Sequence, residues 1–598
     1  MSYFNLIFVI LFVFSSVVFA ENTYQKTEPL ISDLLRAESF SRILFNVQKT
    51  ALIKRYAQYS PSISYVARPQ VKLAGLRFNP KNYKSISNSY NTKLTYLDLN
   101  SKVEKKIKFP KDSILSRPAW SENGKFLLVG VEKPDCYQLW IVSIPSLSLK
   151  QVPRVCMNDL LDNSFFWLND DEVLISSRTK EQKEELKIEK LTPVGPVVQE
   201  SKGQVAQNRT YPELLKNQSD ELYLTKAIKA QFVIYNIKKS SLRKLGLEGT
   251  YDLFSASPDK KRFLVSRIIK PYSYQVPVGL FAKEFEVWDV TGNKTHTLHK
   301  GGPYERIPIE GVITGPRSMR WLPDEPSTLT YVQALDEGNW KNKVEHRDEF
   351  FRMELLPNGK TVVKSLFKTK DRFSGIEVLE RNLGYIVHNY ERDSKWVTST
   401  WMQFDENHKI KSEKVIFSLS EDDSYNDPGS FYYALNKFRR NVIAVDADNK
   451  TVFLSGEGAS EEGQKPYIRK LNLETKELKV IFKSVEGTQE NFVTFLDDLK
   501  FDKFITYYET NLESPRYMIR TIIPGEGKIK TKSELLYADK DPFEIFTKVK
   551  KEIIKYKRND GVELSGILYY PLNYEQGKKY PLIVSAYPLE YNDAQTAG

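Results

Sequence analysis

With 598 residues the chain is too long for one compact core, and two or more domains are expected. Its 41% hydrophobic and 27% charged residues are the balance of an ordinary folded soluble protein. A net charge of +12 could draw nucleic acid, anionic membrane or acidic peptides, but there is no dense basic run and clusters such as 187–190 are interrupted by acids, so scattered surface lysine is expected and nucleic acid is not an expected partner.

In chain order, the first feature is 1–20. An apolar run at 4–14, then Val18 and Ala20 at the −3 and −1 positions before Glu21, reads as a secretory signal peptide. An uncleaved anchor is the alternative, although the run is short for a span. No later stretch is long and apolar enough to cross a membrane. The mature chain is therefore expected to be exported, periplasmic or extracellular, with no stable membrane span. In the N-terminal segment 21–40, Leu30, Ile31, Leu34 and Leu35 have helical spacing.

From 41 to about 545 the chain reads as strands and turns, in keeping with its 34 Tyr and 33 Phe. A degenerate motif recurs: an aromatic or Leu, a polar turn, then an apolar strand. Residues 119–129 (AWSENGKFLLV) are the best copy, with others at Trp167, Ser257, Trp321 and Phe495. Units begin near Ser41, Ser116, Asn163, Asp252, Ser318, Phe373, Ser430 and Asn491. Self-similarity at this spacing, with several strands per unit, is the signature of a β-propeller of seven or eight blades. Tandem β-sandwiches are the alternative. Residues 179–229 break the rhythm and read as an insertion with a helical 211–216, either a substrate-contacting loop or, slightly favoured, a solvated excursion. Sequons lie at Asn208 and Asn217. Asp259 and Asp324 are expected to form turns through Asx bonds. The two cysteines, Cys136 and Cys156, fall within one unit and are either a disulfide or two free thiols. No Cys/His cluster has metal-ligand spacing, and no cofactor is expected.

The segment 546–598 changes character. Residues 553–557 alternate in part, 562–570 are β-rich, and Asn559-Asp560-Gly561 joins the two as a hairpin. The run 582–587 is nearly all apolar, as in a strand covered on both faces at the entry to an α/β sheet. The strings DGVELSGILYYP (560–571) and KKYPLIVSAYP (578–588) resemble the start of the α/β-hydrolase domain in the prolyl oligopeptidase family of serine peptidases. AYPLEY (586–591) is most similar to the glutamyl endopeptidase branch, as are LAGLRFNP (73–80), TYPELLKNQSDE (210–221), PYSYQVP (271–277), VEHRD (344–348) and LSGEGASEEG (454–463).

The resemblance implies peptide substrates, oligopeptide hydrolysis, after Glu in that branch, and a propeller acting as a size filter over the active site. It also implies that Tyr587 donates its hydroxyl to the oxyanion of the tetrahedral intermediate, with Tyr591 a second candidate and a Tyr capping the sheet edge the plain alternative. The family's nucleophile sits in G-x-S-x-G, followed by Asp and His. Residues 1–598 contain no G-x-S-x-G; the nearest imitation, at 456–460, has the wrong spacing, and His296, His299, His346, His388 and His408 all precede the hydrolase-like segment. The expectation is a propeller followed by the truncated start of an α/β-hydrolase domain, inactive by itself, with Ser430 and Ser460 the serines to check. A non-catalytic propeller that binds or scaffolds is the alternative. Glu345-His346-Arg347-Asp348 imitates a charge relay and is expected to be a structural network.

Overall fold

The computed structural model describes residues 27–87, 90–161, 164–182, 210–523 and 530–586. The signal-like 1–20 and both candidate tyrosines, Tyr587 and Tyr591, lie outside the described residues.

The recurring turn has a common chemistry. At 121–126 the Ser121 hydroxyl accepts the Phe126 N–H (2.9 Å), and Asn123 Oδ1 accepts the Lys125 N–H (2.9 Å). At 257–262 the Ser257 hydroxyl accepts the Arg262 N–H (3.0 Å), and Asp259 Oδ1 accepts the Lys261 N–H (3.1 Å). A short polar side chain that satisfies its own turn reverses the chain and starts an apolar strand. Asp324 departs from this pattern: its Oδ1 is closed off from water and has no hydrogen-bond partner, so it is not an Asx turn former.

The chain is mainly β, and its sheets are antiparallel. Six four-stranded sheets follow one another in sequence, covering 165–249, 251–301, 317–369, 372–420, 430–483 and 488–538. Before them lies a nine-stranded sheet, 42–151, whose two halves are joined through the pair Asn91–Leu115. Each sheet packs its apolar face on the next. Phe232 and Leu174 of 165–249 meet Phe254 and Val265 of 251–301, and Val332 and Phe350 of 317–369 meet Val378 and Val387 of 372–420. Phe453 and Ile468 meet Phe495 and Phe504 in the same way.

The last sheet packs back on the first. Ile505, Tyr517, Leu536 and Tyr537 share a core with Leu52 and Leu97. Ser41 bonds the Tyr537 hydroxyl (2.9 Å), accepts from the Tyr517 hydroxyl at its carbonyl (3.2 Å), and donates its N–H to Asp539 (2.8 Å). The sheets thus form a ring in which every sheet has two neighbours. Tandem sandwiches, which would pair sheets two by two, do not have this contact pattern.

A small hairpin, Tyr433–Leu435 with Asn441–Ile443, crosses between sheets that are not neighbours. Its Arg440 guanidinium donates to the carbonyls of Ala256 (2.7 Å) and Ser257 (3.1 Å), and Asn436 Nδ2 donates to the Pro323 carbonyl (2.8 Å). The hairpin therefore spans the ring on the side of the recurring turns.

Outside the ring, the expected N-terminal helix runs Pro29–Arg36. The expected C-terminal hairpin pairs Lys551–Lys557 with Glu563–Tyr569, turning at Gly561 with φ +88°. Lys551–Lys557 is exposed on both faces and Glu563–Tyr569 on one, with Ile567 at 59% and Tyr569 at 62%. The third expected strand is absent from the described part of its run: 582–586 is unpaired and Ile583 is 93% exposed. An apolar run becomes a strand only where a ladder partner meets its N–H and C=O groups, and none adjoins it among the described residues.

Candidate functional site

The connections between the second and third strands of the early sheets gather on the side of the ring opposite the recurring turns. The longest follows Glu172–Ser177 and returns as Ala230–Asn236. Its helix is Gln218–Ile228, not 211–216, and Asn217 is its N-cap: Oδ1 accepts the Asp220 N–H (2.9 Å). The Asn217 sequon thus coincides with a cap. Tyr223, Leu224, Ala227 and Ile228 point into one core with Leu73, Ala74, Phe78, Tyr272, Val276 and Phe281. This part of the connection is packed, which corrects the solvated-excursion reading.

Three of the eight strings that carried the resemblance, 73–80, 210–221 and 271–277, meet in this core. The Gly75 N–H donates to the Glu213 carbonyl (3.2 Å) and the Val278 N–H to that of Ala74 (2.9 Å). Gly75 has φ +81°, and a Cβ there would sit 2.7 Å from Pro277 Cβ, so only glycine lets the three segments close up. Beside this core the structure joins Cys136 to Cys156, with S–S 2.04 Å and Cα–Cα 5.2 Å.

Next to it opens a cavity of about 740 Å³ lined by Arg42, Arg55 and Arg117 together with Tyr59, Tyr65 and Tyr90. Arg42 and Arg55 stand directly opposite each other on paired strands. Burial, then the charges of Arg117 and Arg42, push the Arg55 pKa down, and its Nε is closed off from water with no partner. The linker out of the ring leaves at the same place. The Asp539 carboxylate accepts from the Tyr56 hydroxyl (2.8 Å) and pairs with Lys54 (3.1 Å), and the Phe543 ring packs on Tyr59 (centroids 5.4 Å). Arg42, Tyr59 and Phe543 line one further hollow.

The histidines are spread over the sheets. His296 is buried, with Nε2 2.9 Å from the Leu356 carbonyl; His299 has its pKa lowered by burial; His408 sits in a turn with φ +60°. Glu345 and His346 face solvent, while Arg347 and Asp348 enter a buried network. There Arg372 bridges Asp336 (2.5 Å) and Asp348 (2.9 Å), Arg317 adds to Asp348 (2.8 Å), and Arg347 to Asp336 (3.0 Å). Of VEHRD, only Arg347 and Asp348 thus belong to a structural network. Ser460 donates to the Gly463 carbonyl (2.6 Å), and Ser430 begins a strand.

One cluster escaped the sequence. Glu377, His388 and Ser399 line up across three strands, with Ser399 Oγ 2.8 Å from His388 Nδ1 and Glu377 3.5 Å from Nε2. A Ser–His–acid row is the outline of a catalytic triad, but Ser399 is only 5% exposed inside the sheet, and a nucleophile must reach a carbonyl carbon. Its members come from three separate strands, and only the sheet register brings them together. Among the described residues no group of His, Cys, Asp or Glu could hold a metal ion.

No family model matches the chain. A curated rice protein (Oryza sativa subsp. japonica), "Probable glutamyl endopeptidase, chloroplastic", is 27% identical over 603 aligned residues, covering 95% of this chain and 62% of its own length. The Arabidopsis thaliana protein of the same name is 26% identical, covering 96% of this chain and 62% of its own. The chain resembles the prolyl oligopeptidase family of serine peptidases over nearly its whole length. It spans about 62% of the length of these two relatives. A solved acylaminoacyl peptidase from Pyrococcus horikoshii covers 92% of the chain at 12% identity with a TM-score of 0.36, too low to carry an argument. Among the described residues no helix is long and apolar enough to cross a membrane.

Proposed function

We propose that residues 41–545 are an eight-bladed β-propeller and that 546–598 begin the α/β-hydrolase domain of an exported serine peptidase acting on oligopeptides, with cleavage after Glu. The packing of the last sheet on the first supports the propeller reading, with the nine-stranded sheet counting as two blades. The observation that carries the peptidase reading is the alignment over 95% of this chain with the rice glutamyl endopeptidase-named relative.

The hairpin 551–569 fits as the first pair of the peptidase sheet. A lone two-stranded hairpin is at best marginally stable in water, and one with Ile553, Tyr556, Ile567 and Tyr569 exposed calls for covering neighbours. In this reading Tyr587 aims its hydroxyl at the developing oxyanion, where a fixed donor stabilises charge that appears only in the transition state. Peptides reach the site from the side of the long connections, because the hairpin 433–443 spans the opposite side. The segment 1–20 directs export.

Cleavage-site mapping tests this reading. The gene product isolated from its source is incubated with a mixture of unstructured peptides and with a folded protein. Cleavage after Glu in the peptides, with the folded protein intact, is expected. Cleavage without preference, or of the folded protein at equal rate, defeats the proposal.

A further inference from the structure

Among the cations around the 740 Å³ cavity, three differ from the rest. Lys54 pairs with Asp539 and Glu104, Lys84 with Asp159, and Arg68 with Glu132, the one carboxylate in the cavity wall. Arg42, Arg55 and Arg117 make no ion pair or side-chain hydrogen bond with any described residue. Two of them are cross-strand neighbours, an arrangement that destabilises a sheet when both residues carry the same charge. Three guanidiniums held together with no paired counter-charge among the described residues present planar donor forks, and that geometry matches a carboxylate.

We propose that Arg42, Arg55 and Arg117 form a carboxylate-binding site that holds an acidic side chain of a bound peptide. The place suits that role. The cavity opens beside Tyr59, against which the linker residue Phe543 packs, so a peptide held there lies at the root of the segment leading to the 551–569 hairpin. Three tyrosine rings, Tyr59, Tyr65 and Tyr90, supply walls for the apolar part of such a side chain. The inference deepens the peptidase reading and names where substrate charge is sensed.

The test needs no catalysis, so its failure is distinguishable from failure of the peptidase reading. Residues 1–598 are titrated, by fluorescence anisotropy at low salt, with three labelled octapeptides: one with a single internal Glu and an amidated C-terminus, its Gln counterpart, and the Gln peptide with a free C-terminal carboxylate. The Glu peptide is expected to bind about tenfold more tightly than its Gln counterpart, as for a charge-assisted hydrogen bond. Arg55→Gln and Arg117→Gln should erase that preference, whereas Arg243→Gln on an exposed outer strand should keep it. Because repulsion is relieved, both cluster variants should melt no lower than the parent chain. Equal binding of the Glu and Gln peptides overturns the proposal, and so does a preference that survives both cluster substitutions. Tight binding of only the free-carboxylate peptide overturns the side-chain assignment.

Discussion

Asp324→Asn separates a turn-forming aspartate from a buried one. Burial raises the Asp324 pKa from 3.8 to about 6; Glu325 adds to the rise, while its own backbone N–H, Arg352 and Lys437 oppose it. Because the folded value lies above the unfolded one, the folded chain holds this proton more tightly. The stability it contributes is fully present below pH 3.8 and is lost as pH rises through about 6. The difference between the two values corresponds to roughly 3 kcal/mol, an upper figure because the residue is only part-buried. Asparagine keeps the shape and cannot ionise. Urea unfolding followed by tryptophan fluorescence should therefore show little difference between variant and parent at pH 4. At pH 8 the variant should gain roughly 2–3 kcal/mol. Parallel pH profiles, or an asparagine variant less stable at pH 8, would refute the buried-carboxyl account.

Three further outcomes follow from the packing. Replacing Cys136 and Cys156 together by Ser opens a loop with a sequence separation of 20 and should cost roughly 3 kcal/mol, read as a lower calorimetric melting temperature that reductant no longer affects. Arg520→Met strips the bidentate partner from buried Glu490 (2.8 and 2.5 Å), leaving Thr506 alone, and should cost roughly 3–5 kcal/mol; the double replacement of Arg520 and Glu490 by Met should recover most of it. Arg440→Ala should speed amide exchange in 433–443 about tenfold while exchange in the sheets stays unchanged, and an unaltered hairpin would show that its contacts with Ala256 and Ser257 do not hold it.

Much of the sheet order was legible because it rests on local chemistry. The unit starts read at Ser41, Asp252, Ser318 and Phe373 fall within one residue of strands beginning at Arg42, Tyr251, Arg317 and Arg372, since a self-bonding turn residue and an apolar strand leave adjacent marks. The hairpin at 559–561 was legible for the same reason. The helix Gln218–Ile228 was misplaced at 211–216, while the Asn217 cap with Asp220 three residues on was read as a sequon. Asp324 and Asp259 look alike in sequence, and only the surrounding sheets separate a self-bonded turn aspartate from a buried one. The Glu377–His388–Ser399 row and the three arginines could not be read locally, because their residues come from separate strands and, for Arg117, a connection, and only register and ring packing bring them together. The strand expected at 582–587 had the right composition but lacks a ladder partner among the described residues.

The most direct test of the peptidase account is active-site labelling with a fluorophosphonate, mapped by mass spectrometry. The account predicts that folded 1–598 takes up no label, whereas the gene product isolated from its source is labelled on one serine in a G-x-S-x-G sequence outside 1–598. Stoichiometric label on Ser399, Ser430 or Ser460 of 1–598 would contradict it, because the nucleophile would then lie within the ring of sheets.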